Sequence, residues 1–282
     1  MHKLLSTSQF AEAIGLSEST VRRLTDGGDI SVRRTKGGHR KIPVEEAIRY
    51  SRANGIQPQN PKLLGISFSE DAEDPDSFYE ALVSGDSDKT VAILQTLYLN
   101  GQELNAIFDG PFLTAFVRIG ESFPADKKSI FIEHRSLIIA MRSLMQLRSI
   151  MPPVEDSAQK VICAAPAGDP YLIPCLMCAL VCHEVGYFEI NLGPDTPLEI
   201  IIDAVEDEAP SLVSLSITNA IRSKNQIGEI EKLHKVAADK NCILVVGGNN
   251  ADSVDVPGIQ RGYSMTDLKA IAENALRKPR HG

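Results

Sequence analysis

Between residues 160 and 248 short apolar runs alternate with longer stretches of helical pattern, and this alternation restricts the fold more than any other feature of the chain. Lys160-Val161-Ile162-Cys163-Ala164-Ala165 ends in Pro166-Ala167-Gly168-Asp169-Pro170 and is followed by a helix from about Ile173 to Val185 and Gly186. Tyr187 to Asn191, the turn Leu192-Gly193-Pro194-Asp195-Thr196-Pro197 and a helix through Ala204 repeat the unit. Leu212 to Ile217, a helix over roughly Gln226 to Asp239 and the run Cys242 to Gly248 repeat it again. Strands separated by helices cannot pair as hairpins, so the expected fold is α/β with a parallel, doubly wound sheet. Ligands of such sheets bind beyond the carboxyl ends of the strands, where Gly168-Asp169, Gly193-Pro194-Asp195, Ser216 and Gly247-Gly248 fall.

The N-terminus follows a different pattern. Ser6 or Thr7 can cap a helix through Ile14 that Gly15 stops, and Ser17 caps a second from Glu18 to Thr25. Phe10, Ile14, Leu16, Val21 and Leu24 are spaced to bury one side of this pair. Ser19, Thr20, Arg22 and Arg23 remain on the outer face of the second helix, which suits a major groove. Gly27-Gly28-Asp29 leads into Ile30 to Thr35, a turn at Lys36-Gly37-Gly38 and a return through Ile42, so a two-stranded wing is predicted. Its tip carries Arg34, Lys36, His39, Arg40 and Lys41 around glycines that let backbone approach phosphate. Pro43 opens a third helix to about Ala53, with Glu45 and Glu46 in its first turn.

Charge separates the two regions. Residues 1–53 hold ten Lys/Arg against six acids, a local charge of +4, whereas the chain as a whole carries −8 and the remainder therefore −12. The basic head can exchange counterions with a polyanion that the acidic body would repel. No stretch approaches the roughly 18 apolar residues of a membrane span and the start has no signal-peptide core, so a cytoplasmic protein without membrane contact is expected. Five cysteines, Cys163, Cys175, Cys178, Cys182 and Cys242, lack framework spacing and are read as reduced. Cys175, Cys178 and Cys182 share a helical face that cannot converge on a tetrahedral ion, so they are expected to be core residues and no metal is predicted.

Residues 56–76, with Pro58, Pro61 and the acidic break Asp71 to Asp76, are expected to form a linker between a winged helix at 1–55 and a helical bundle at 77–152; the α/β domain occupies 158–282. In the bundle, Phe123 begins a loop and Glu133-His134 lie on the helix after it.

The segment from Val21-Arg22-Arg23-Leu24 to Thr35-Lys36-Gly37-Gly38-His39-Arg40-Lys41-Ile42-Pro43 resembles the MerR/excisionase-type winged helix. That resemblance implies operator recognition on double-stranded DNA by a homo-oligomer. Residues 77–282 resemble the helical cap and Rossmann-like domain of cobalamin-binding proteins, and the whole chain resembles MerR-type regulators of the CarH/LitR kind. In that family Leu192-Gly193-Pro194-Asp195-Thr196-Pro197, Ser216 and Gly247-Gly248 surround the nucleotide tail of the cofactor. The family's acid-x-His-x-x-Gly signature aligns with Asp169-Pro170-Tyr171-Leu172-Ile173-Pro174, so Tyr171 replaces the histidine that ligates cobalt and Pro174 the glycine. Its Trp-(nine residues)-Glu-His aligns with Phe123, Glu133 and His134.

Phenolate ligates some haems, but imidazole is the better lower ligand for cobalt. Two readings follow. In one, cobalamin without histidine ligation, or another flat tetrapyrrole, sits between Phe123/Glu133/His134 and Tyr171, and the protein is a ligand or light sensor. In the other, which the three losses favour, no cofactor is held and the fold serves oligomerisation, protein docking or effector sensing. A function of another class, a corrinoid carrier or mutase component, needs a partner catalytic domain, and no catalytic constellation is found here. The expectation is a transcription regulator and not an enzyme.

Overall fold

Local caps set the first helices, as their sequence signals require. The computed structural model describes residues 3–122 and 127–277. It comprises two units: residues up to Glu103 together with Gly110–Pro153, and Leu104–Asp109 together with residues from Val154 onward. After β1 (Leu4–Leu5), α1 (Thr7–Ile14) begins at Ser6 with a reciprocal box: Gln9 N–H donates to Ser6 Oγ at 3.1 Å and Ser6 N–H to Gln9 Oε1 at 2.9 Å. Gly15 ends it at φ 83°, Ser17 caps α2 (Glu18–Gly27), and Gly28 ends that helix at φ 85°. β2 (Arg33–Arg34) and β3 (Arg40–Pro43) form the wing, and β1 pairs with the other edge of β3. α3 (Val44–Asn54) starts one residue later than the sequence suggests, because Pro43 is its cap and the last residue of β3.

The segment 56–76 is more structured than an extended connection. It contains α4 (Pro61–Leu64); Asn60 N–H bonds Ala13 O, and Ser67 N–H and Ser69 N–H bond the side chains of Gln95 and Thr96. These last two lie on α6 (Ser87–Leu99), which follows α5 (Ser77–Ser84). After α7 (Leu104–Ile107), which belongs to the second unit, α8 (Leu113–Ser122) and α9 (Lys127–Ile150) complete the helical region. Arg52 from α3 lies 3.6 Å over the Tyr98 ring and bonds Tyr98 O and Gln102 O, so this side chain ties α3 to the end of α6.

In the second unit β4 (Lys160–Pro166), β5 (Phe188–Thr196), β6 (Leu212–Ser216), β7 (Ile243–Gly247) and β8 (Gln260–Gly262) form a wholly parallel sheet in the order β5-β4-β6-β7-β8. Strand residues alternate between two cores. Ile162, Val213, Leu215 and Val246 pack on α11 (Leu198–Glu208) and α12 (Lys224–Asp239). Val161, Cys163, Leu212 and Val245 pack on α10 (Leu172–Val185) and α13 (Met265–Arg277). The doubly wound sheet expected from the sequence is therefore present, with β8 and α13 added at its end. α7 docks here: Leu104 N–H bonds Glu184, and Asp109 accepts from Met265 N–H, Thr266 N–H and the Thr266 hydroxyl, capping α13.

Candidate nucleic-acid interface and strand-end site

α2 is anchored by buried Val21 and turns Ser19, Arg22 and Arg23 outward, with Thr20 half-buried. The hydroxyls of Ser19 and Thr20 each lie 2.8 Å from Ser17 Oγ, so both belong to the cap as well as to the exposed face. Arg22 meets Glu18 one turn back at 3.3 Å, and both side chains are well exposed. Such a pair is worth little and yields readily to a phosphate or a base edge.

The wing is fixed from two sides. Arg40 pairs with Asp26 at the end of α2, which ties the return strand to the C-terminal turn of α2 through a charged clasp. Ser31 N–H donates to Glu46 Oε2 at 2.8 Å, and Arg49 bonds both Glu46 and Asp29 O, so the start of the wing is held on α3. Burial opposes the Glu46 charge, but the Arg49 and Ser31 donors outweigh it and its pKa falls. Arg34, Lys36 and His39 are exposed at the tip, while Lys41 and Arg40 are half-buried. Arg33 was not singled out from sequence, yet it is exposed opposite Lys41. A two-residue strand at the edge of a ribbon exposes both of its side chains, a signal that alternation over so short a span does not carry.

The strand ends of the second unit are organised by Asp169. It is buried, and its carboxylate accepts Thr218 N–H at 2.5 Å and Asn219 N–H at 2.9 Å, joining the loops after β4 and β6. Asp195 accepts Gly168 N–H at 2.7 Å and returns its own N–H to Asp169 O at 2.8 Å. The donors that would cradle an anion at the β4/β6 switch point are thus taken by the chain's own carboxylates. Gly168, Pro197, Glu199, Ser223, Gln226 and Glu229 border an open hollow of about 490 Å³ nearby, whose charged lining is acidic.

The other residues aligned with a cofactor site are accounted for by packing. Ser216 is buried with its hydroxyl 3.9 Å from Cys178 Sγ. A Cβ on Gly247 would stand 2.7 Å from Gly262 O, and one on Gly248 2.6 Å from Ile217 O, so both glycines let backbones close on each other. Gly193, at φ 80°, forms a bulge in β5 beside Leu172. Tyr171 is 44% exposed at the cap of α10 and offers a phenol where the family's cobalt takes imidazole. This donor set does not fit a histidine-ligated corrin. Glu133 and His134 are exposed on α9, and Phe123 lies outside the described residues. Among the described residues no group of three or more His, Cys, Asp or Glu is placed to hold a metal ion. No described helix is long and apolar enough to cross a membrane.

Residues 4–52 match the family of the Helix-turn-helix domain. No curated protein matches the chain. Among solved structures, the monomethylamine corrinoid protein of Methanosarcina barkeri is 14% identical with a TM-score of 0.54, over 72% of this chain and 99% of that one. A cobalamin-binding protein from Desulfitobacterium hafniense DCB-2 is 17% identical with a TM-score of 0.37, over 72% and 98%. The methanol:cobalamin methyltransferase complex MtaBC of M. barkeri is 16% identical with a TM-score of 0.37, over 75% and 82%. The chain thus carries a helix-turn-helix domain at residues 4–52, and its parallel, Rossmann-like sheet belongs to a chain that shares its fold with the monomethylamine corrinoid protein.

Proposed function

We propose that the protein is a DNA-binding transcription regulator of MerR type, in which the region after the winged helix serves assembly and effector sensing without bound cobalamin. The observation that carries the DNA reading is the pairing of an outward face on α2, bearing Arg22 and Arg23, with a basic wing clasped to the same helix. The helix enters the major groove and offers its arginines to base edges, while Arg33, Arg34, Lys36 and Lys41 meet the flanking backbone. Selection of bound duplexes from a random-sequence pool by the full chain tests this. Enrichment of a two-half-site sequence is the expected result, and no enrichment above input at low salt overturns it.

The cofactor reading is supported by the self-occupied anion donors of Asp169 and Asp195 and by the phenol at Tyr171. Incubation with cobalamins and with haem, followed by gel filtration and absorbance spectroscopy, is expected to leave no visible band with the protein. A co-eluting band restores the sensor reading.

A further inference from the structure

The geometry points to the outward face of α9 as a self-association surface that pairs two copies of this chain. α9 buries Ser136, Ile139, Ala140, Ser143 and Leu144 within its own unit. The opposite side is also apolar: Phe131, Ile138 and Met145 are 59%, 62% and 56% exposed. These three recur every seven residues and so form one stripe along the helix. Ile130 is also exposed beside it, and Leu137 and Met141 are half-buried there. A helix apolar on both sides is one that something covers.

A second copy fits this face for three reasons. First, the stripe is self-complementary about its centre. A twofold axis at Ile138 sets Ile138 on its counterpart and Phe131 of one protomer on Met145 of its partner, a favourable ring-to-sulfur contact. Second, the arginines flanking the face are engaged within their own unit, and His134 is the one ionisable side chain exposed between Phe131 and Ile138 on that side. Arg142, on its flank, is turned to Ser87 and Asp88, and Arg135 to Val83 O and the Phe131 ring, all within the same unit. Third, the area suffices: the stripe and its neighbours expose roughly 500 Å² of apolar side chain per copy, so a pair buries roughly 1,000 Å², where specific interfaces begin. A patch of this size is at the upper end of what single chains expose, about 300–600 Å², and such patches are often functional.

This deepens the assembly role proposed above and rests on it for its purpose. α9 and the winged helix belong to one unit, so pairing through α9 would set two reading helices at a fixed spacing. The test uses no DNA, which keeps its failure apart from any failure of the DNA reading. Sedimentation velocity of the full chain at micromolar concentrations is expected to show a dimer, and Ile138→Glu a monomer with unchanged far-UV circular dichroism. The five native cysteines are buried, so Ile138→Cys adds one accessible thiol. Mild oxidation is expected to give a covalent dimer with Ile138→Cys and none with Glu133→Cys, whose position lies off the stripe. A wild-type monomer throughout, a dimer that survives Ile138→Glu, or equal cross-linking of both cysteine variants would each overturn the proposal.

Discussion

At the residue scale, charge alone does not tell which basic side chains are engaged within the fold. Arg40 belongs to the same basic wing as Lys36 and Lys41, yet its guanidinium is engaged by Asp26. Asp26→Asn removes a negative charge close to the phosphates, so a purely electrostatic view expects tighter binding. If the clasp positions the wing on α2, affinity should instead fall several-fold, with duplex titrations read by fluorescence anisotropy; tighter binding would show that the clasp is idle. Arg22→Ala or Arg23→Ala is expected to weaken a selected duplex by about 1–3 kcal/mol for a base-edge contact, and less for a phosphate contact. Unchanged affinity in both variants would place the reading surface elsewhere. Tyr171 raises a separate question. Tyr171→His with Pro174→Gly should confer cobalamin binding, followed by absorbance and calorimetry, if the ring still has room; no gain would mean that packing around Cys178 and Ser216 has closed the site.

At the element scale, α10 shows how far the sequence reading extends. Cys175, Cys178 and Cys182 share one face and are buried, as helical spacing suggests. Burial pushes the Cys175 thiol up to about 12 and Cys178 up to about 11, and the contact with Cys182 together with burial raises Cys163 as well. These three thiols stay protonated at pH 8 and all five cysteines are buried, so iodoacetamide is expected to leave the native protein unlabelled and to modify every cysteine after denaturation, by intact mass. Fast native labelling of any of them would contradict this packing. Capped helices and strand-helix alternation were legible because their determinants lie within a few residues: Ser6 with Gln9, Ser17 with Thr20, Gly15 and Gly28 at positive φ. Elements whose determinants are remote were not. β1 is two leucines that become a strand only against Ile42 and Pro43, and the cap of α13 is Asp109, 156 residues before Met265. The turn read at Gly193-Pro194-Asp195 is instead the bulged end of β5, where Gly193 and Asp195 take positive φ and the chain still pairs with β4 as far as Thr196. In the candidate site, the exposed outer face of α2 was visible in the pattern, but the partners of Arg40 and Asp169 lie in other elements and required the fold.

At the scale of the whole molecule, the basic head and the acidic remainder make binding to DNA a matter of a few phosphates per head and of how many heads are joined. Each neutralised phosphate contributes about −0.9 to the slope of log Kobs against log salt on duplex DNA. Two heads linked through α9 contact twice the phosphates of one, and the second binds intramolecularly, which raises apparent affinity by roughly 100-fold or more when the spacing matches. Ile138→Glu leaves every DNA-facing side chain in place while separating the heads. On a selected two-half-site duplex it should therefore both weaken binding and reduce the salt slope to about half the wild-type value, whereas on an isolated half-site the two proteins should agree. A loss of affinity with an undiminished slope would mean that the heads still bind together and that the substitution acts on DNA contact itself, because only the number of phosphates neutralised at once sets that slope.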